Sequence, residues 1–217
     1  MITLYINFSE LPSWLMLAPL KDLFEKAPTD LASPEVIWKP MLGSLGSVAG
    51  SNLKPGEDDP LVIYRARRAD ARHRAAKREN ERMCEILGIK PEQGERKINP
   101  LYLSLGMIWL TRQGADFEQY LGYIEAAFLK TFRDGADVES FSGLTAVLAA
   151  AGIQATDGLA QFVKSEAPGL EASREEILDT GVFNAPAFVL DGEIFHGREH
   201  LPLVKWMLTG KQGIPPV

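Results

Sequence analysis

Two short stretches near opposite ends of the chain carry residues whose types and spacing could do chemistry. The first is Phe8-Ser-Glu-Leu-Pro-Ser-Trp-Leu15, which sets two hydroxyls and a carboxyl, on Ser9, Glu10 and Ser13, just before an apolar run. Such side chains accept hydrogen bonds from the free N–H groups of a helix start, and those same N–H groups favour an anion. The second is Ala185-Pro-Ala-Phe188, a proline at the mouth of a strand. Proline donates no ladder hydrogen bond, so neighbouring backbone groups stay open to a ligand. Other chemistry is sparse. Cys84 is the single cysteine and falls in a helical pattern, where a small core role is expected. His73, His196 and His200 lack metal-site spacing, so no metal is expected, and His196 reads as a strand end.

The elements that must hold these stretches follow from periodicity and punctuation. Residues 2–8 alternate and are rich in β-formers, then a helix start leads into the apolar run Trp14 to Phe24, and residues 35–38 form a second strand. This is a β-α-β unit with parallel strands and a right-handed crossover. From Asp58 onward the character changes to helix formers, at 59–87, 100–113, 116–133, 137–151 and 156–165. A helix at 170–180, strands at 187–190 and 193–195 joined by Asp191-Gly192, and a last helix at 198–209 complete the chain. The fold class is therefore α/β. One small mixed sheet is built from β-α-β and α-β-β-α halves, over residues 1–54 and 169–217, with an all-helical domain inserted over residues 55–168.

Composition limits the function. The 217 residues, 46% of them hydrophobic, can supply a proper core. No apolar run approaches the ~18 residues of a membrane span, and the opening residues read as a strand rather than a leader, so a soluble, cytoplasmic protein is expected. One cysteine rules out an intramolecular disulfide. A net charge of -6 argues against nucleic acid, and the basic run Arg65 to Arg82 reads as a solvated helix face.

The order of elements is that of a thioredoxin-like fold with an inserted helical domain, and several pieces carry a family likeness. They are Tyr5-Ile-Asn-Phe8 with Ser13-Trp-Leu15, Trp38-Lys-Pro-Met-Leu-Gly43, Gly50-Ser-Asn52, Arg82 to Ile89, Gly181 to Phe188 and Gly197-Arg-Glu-His-Leu201. Together they resemble the DsbA-like superfamily, in its branch of 2-hydroxychromene-2-carboxylate isomerases and kappa-class glutathione transferases. Glu10-Leu-Pro-Ser13 stands at the Cys-x-x-Cys position, so dithiol exchange by the usual route is excluded.

The resemblance implies a function and a site. The branch binds glutathione with a serine at the helix start. Without a gap Glu10 takes that serine's place, and with one residue inserted Ser9 does, while Ser13 keeps its own place in both. Retention on a glutathione matrix would be lost in Ser9→Ala and kept in Ser13→Ala if Ser9 is the donor. The resemblance also implies that Ala185 offers its backbone to glutathione beside a cis Pro186, and that Arg198 and Glu199 hold the γ-glutamyl group. Asn52 and the loop from Lys39 to Leu42 would line the same pocket. The implied activity is a glutathione-dependent isomerase or transferase for a small aromatic or electrophilic substrate, working as a homodimer without nucleic acid or membrane. The alternatives are a diverged thioredoxin-fold binding protein and, more remotely, a DsbA-like oxidoreductase.

Overall fold

The structure is a computed structural model that describes residues 1–25, 35–43, 60–92 and 96–216. Four strands, β1 (Ile2–Ile6), β2 (Val36–Pro40), β3 (Ala187–Leu190) and β4 (Glu193–His196), form one sheet in the order β2-β1-β3-β4. β1 runs parallel to β2 and antiparallel to β3, and β3 pairs antiparallel with β4. This is the mixed sheet expected from the sequence. Alternation along β1 decides its two faces: Ile2, Leu4 and Ile6 enter the main core, whereas Tyr5 joins a second cluster with Met41, Val182, Ala185 and Ala187.

The first helix comes in two pieces, α1 (Leu11–Leu15) and α2 (Leu17–Glu25). Pro19 has no N–H to give the carbonyl of Leu15, four residues earlier, so the interruption at Met16 has a local cause. The inserted helices are α3 (Pro60–Leu87), α4 (Leu101–Gln113), α5 (Phe117–Phe128) and α6 (Phe141–Ala150). α5 starts on a capping box in which Asp116 accepts from the Gln119 N–H and Gln119 bonds back to Asp116. It ends in a π-helical turn, Leu129–Arg133, where the Thr131 hydroxyl donates to the Ala127 carbonyl at 2.8 Å. α7 (Leu159–Asp179), a 3-10 turn (Arg198–His200) and α8 (Leu201–Leu208) complete the order. Among the described residues, no helix is long and apolar enough to cross a membrane.

Two expectations from the sequence are corrected. The helices expected at 156–165 and 170–180 are one, α7, which runs through Pro168. A proline there forfeits one backbone bond, but both halves of the helix are anchored. Phe162 meets Trp109 with ring centroids 5.0 Å apart, Arg112 pairs with Glu166 at 2.8 Å, and Ile177 rests on the Tyr5 cluster. Tertiary contacts thus outweigh local propensity. Likewise, residues 137–140 precede α6 instead of belonging to it, because the Ser140 hydroxyl accepts from the Gly143 N–H and caps the helix there.

The insert is fastened to the sheet through aromatic rings. Trp14 of α1 stacks on Phe128 and Phe132, with centroids 6.3 and 5.9 Å away, and Phe8 meets Tyr123 edge-on at 6.1 Å. Tyr123 is fully buried and donates to the Leu103 carbonyl at 2.7 Å. Gly106 leaves room for that ring, since a Cβ there would collide with the Tyr123 hydroxyl and with Leu144. Gly106→Ala is therefore expected to destabilise the fold by about 1–3 kcal/mol through overpacking, read as a lower urea midpoint with an unchanged m-value.

Candidate functional site

The chain turns from β1 into α1 around Asn7, which is completely buried. Its backbone N–H donates to Ser13 Oγ at 3.1 Å, and its carbonyl accepts from the Glu10 N–H at 3.3 Å. Its side-chain Oδ1 accepts from both the backbone N–H of Ser9, at 3.0 Å, and the Ser9 hydroxyl, at 2.7 Å. The Ser9 N–H can only donate, which fixes the amide's orientation and turns Nδ2 the other way. Nδ2 is buried and has no acceptor within ordinary hydrogen-bond distance, and the group it acts on is the Glu10 carboxyl. Sequence reading passed over this residue. Its signal was a lone amide in the apolar stretch Ile2 to Phe8.

Two neighbouring segments flank this turn. The Met41 N–H donates to the Ile6 carbonyl at 2.8 Å on the β2 side. On the β3 side Tyr5 pairs with Ala187, and extending that antiparallel register by two residues sets Asn7 opposite Ala185. The Ala185-Pro186 bond is cis, as the resemblance implied, and the Pro186 carbonyl accepts from Gly197 at 2.8 Å.

Glu10 is the N-cap residue of α1, in extended conformation, and its side chain makes no capping hydrogen bond. Glu10 is half-buried, and loss of solvation raises its pKa to about 7, against the opposing pull of the Asn7 side chain. Near neutral pH it exists in both protonation states. Such a group can accept a proton or donate a hydrogen bond.

The remaining site residues named from the sequence fall in different places. Ser9 is half-buried, and its hydroxyl proton is directed at Asn7. Ser13 is wholly buried with its oxygen occupied by the Asn7 N–H, so it ties helix to strand instead of facing a ligand. The Ala185 N–H, expected to be open, donates to Asn184 Oδ1 at 3.0 Å, and both Ala185 and Pro186 are buried. Arg198, expected to meet a ligand carboxylate, instead forms an ion pair with Glu79 of α3. Glu199 is exposed and folds its carboxylate back against Gly197. Lys39 is exposed, with its ammonium 5.8 Å above the Tyr5 ring, while Leu42 is half-buried against the main core. Asn52 lies outside the described residues.

The two lesser candidates are explained locally. His196 ends β4, stacks on Phe183 with centroids 4.0 Å apart, and accepts from the Phe183 N–H through Nε2. Burial and the nearby His200 lower its pKa, which keeps Nε2 an acceptor. Cys84 is buried in α3, and burial raises its pKa, the reverse of what a reactive thiol needs. Among the described residues no group of His, Cys, Asp and Glu could hold a metal ion.

Known structures share this architecture. A Streptomyces coelicolor protein described as a probable DsbA oxidoreductase superposes with a TM-score of 0.66 at 16% identity, over 100% of this chain and 92% of its own. A 2-hydroxychromene-2-carboxylate isomerase gives a TM-score of 0.62 at 16% identity, over 98% and 94% of the two chains. No protein-family model matches the sequence, and no curated protein matches it. At this identity the likeness establishes the fold alone, a DsbA-like thioredoxin fold shared with a protein described as a probable DsbA oxidoreductase and with an isomerase.

Two outcomes test the turn. Ser13→Ala leaves the buried Asn7 N–H without a partner and is expected to cost about 1–3 kcal/mol in chemical denaturation. For Glu10, burial makes the folded chain hold the proton more tightly than the unfolded chain, whose carboxyl keeps a pKa near 4.5. Its contribution is complete below pH 4.5 and is lost as pH rises towards 7. Glu10→Gln is expected to match the parent in acid and exceed it by about 3 kcal/mol above neutrality, at 1.36 kcal/mol per pKa unit, in urea titrations across pH.

Proposed function

We propose that this chain is a glutathione-dependent isomerase or transferase for a small aromatic or electrophilic substrate, with Glu10 in place of a serine as the group that handles the thiol proton. One observation carries the reading. A half-buried carboxyl whose pKa is raised to about 7 stands at the helix start where the resemblance puts the reactive group, beside the buried Asn7 amide. The absence of a dithiol in the same place leaves out the oxidoreductase chemistry suggested by one of the structural neighbours.

Bound glutathione would supply a nucleophilic sulfur to a conjugated substrate. Glu10 holds the proton at that point. With a pKa of about 7 it lies within about two units of an ordinary thiol, so near neutral pH its carboxylate can take a proton and return it with little driving force lost. Once protonated it is uncharged and can donate, which removes the repulsion an ionised carboxylate would exert on a sulfur anion. Asn7 Nδ2 is a second, fixed donor in the same turn. A reducing, cytoplasmic setting suits this use of a thiol.

Two contacts favour a second reading, a diverged binding protein. The Ala185 N–H and the Arg198 guanidinium, both assigned to glutathione by the resemblance, are already engaged by Asn184 and Glu79. Calorimetry with glutathione, and turnover of chromene acids and chlorinated aromatics, separate the two. The enzyme reading expects saturable glutathione binding and a rate that Glu10→Gln lowers by roughly 10²–10⁴, abolishing a pH-rate limb near 7. Ser9→Ala is expected to change it less than tenfold. Absence of both binding and turnover would leave only the binding protein.

A further inference from the structure

We propose that the cavity between α1, α2, the end of α3 and the end of α5 binds a medium-chain aliphatic carboxylate. Its volume is about 450 Å³, within the range of small-molecule sites. No residue from Asn7 to Ser13, nor Ala185 or Pro186, lines it. It is a site of its own, and such a ligand carries no electrophile for the thiol chemistry proposed at Glu10.

Three observations define the ligand. The first is the apolar lining. Trp14 and Leu17 are buried, and Leu87, Ile89 and Leu129 are half-buried around the same space. All but Trp14 are aliphatic, and they come from separate elements, so an alkyl chain laid among them leaves water on several sides at once. The second is charge. Lys21, Lys90 and Arg133 line the cavity together with Glu92 and Glu125, which leaves one positive charge uncompensated. Lys21 and Glu125 satisfy each other at 2.7 Å and join α2 to α5. Asp134 takes only Nε of Arg133, at 2.8 Å. Among the described residues the two terminal nitrogens of that guanidinium have no partner, and neither does the Lys90 ammonium.

The third is backbone geometry. Leu129 and Arg133 are the first and last residues of the π-helical turn that ends α5, and both line the cavity. Such a departure from regular helix recurs at functional sites. The alkyl chain lies along Trp14, Leu17 and Ile89, and the carboxylate meets Lys90 and Arg133 through charge-assisted hydrogen bonds. A single negative charge completes the balance. An ammonium head would add to the excess positive charge, and an alcohol would leave it unmet.

Titration calorimetry of the full-length chain with octanoate, 1-octanol and octylammonium tests this. Octanoate is expected to bind saturably, roughly tenfold or more tightly than either analogue. Its affinity is expected to exceed that of hexanoate by roughly two- to fourfold per added methylene. Lys90→Gln/Arg133→Gln changes two exposed positions and is expected to weaken octanoate roughly tenfold while leaving 1-octanol as it was. Ala18 is exposed and lines the same cavity, so Ala18→Phe fills it and is expected to abolish binding with an unchanged circular dichroism spectrum. Glu10→Gln and saturating glutathione are expected to change octanoate affinity by no more than roughly twofold. The site is ruled out if octanoate gives no saturable heat at millimolar concentration, if the three compounds bind alike, or if octanoate affinity survives either cavity variant. It is equally ruled out if Glu10→Gln or glutathione weakens octanoate roughly tenfold, which would put the carboxylate at the Asn7–Glu10 turn instead.

Discussion

The turn from β1 into α1 depends on one buried amide. A strand that becomes a helix within four residues leaves backbone groups facing each other at a partly buried turn, and each unmet buried group costs about 1–3 kcal/mol. Asn7 meets them from both ends. Its backbone N–H reaches forward to Ser13, its carbonyl takes the Glu10 N–H, and its side chain takes both polar hydrogens of Ser9. Ser9, Glu10 and Ser13, which look equivalent as polar residues before a helix, receive different work from this one partner. Ser13 becomes a strut, Ser9 is held as a donor to Asn7, and Glu10 alone keeps a side chain without a capping bond.

What surrounds that turn is closely packed. Trp14 follows Ser13 directly and is stacked against Phe128 and Phe132, so the inserted helices hold the same short helix whose start carries Glu10. Across the turn, the buried Ala185-Pro186 segment is tied to β4 through Gly197 and to Asn184 through its own N–H. Glu10 is half-buried, and its preference for the neutral form follows from the loss of solvation there. The neutral form also reconciles an acidic residue with thiol chemistry, because the objection to a carboxylate beside a sulfur anion applies only when it is charged.

The fold also separates its charges. The basic helix α3 belongs to a chain that is otherwise strongly acidic, and among the described residues it is linked back to the C-terminal part by the Arg198–Glu79 pair. That pair reverses the local sign pattern: an acid on the basic helix holds a base on the acidic body. It engages Arg198 and ties the C-terminal end of α3 to the 3-10 turn Arg198–His200.

Local sequence determined the elements and their order. Alternation in residues 2–6, the proline at 186, the Asp191-Gly192 turn and the polar residue at 116 each act over a few residues, so the strands and several helix starts are legible in the chain, whereas the cap at Ser140 was not read from it. The sequence also settled that no Cys-x-x-Cys pair exists. It could not settle which polar residue at the first helix start is available, because that depends on Asn7 and on burial. Nor could it show that α7 continues through Pro168, which is decided by anchors far away along the chain, at Trp109, Arg112 and Tyr5. Arg198 and Glu79 are 119 positions apart, and nothing in either neighbourhood announces the other. Tertiary structure alone made those choices, since hydrogen-bond satisfaction and desolvation are properties of what the fold brings together and not of the order of residues along the chain.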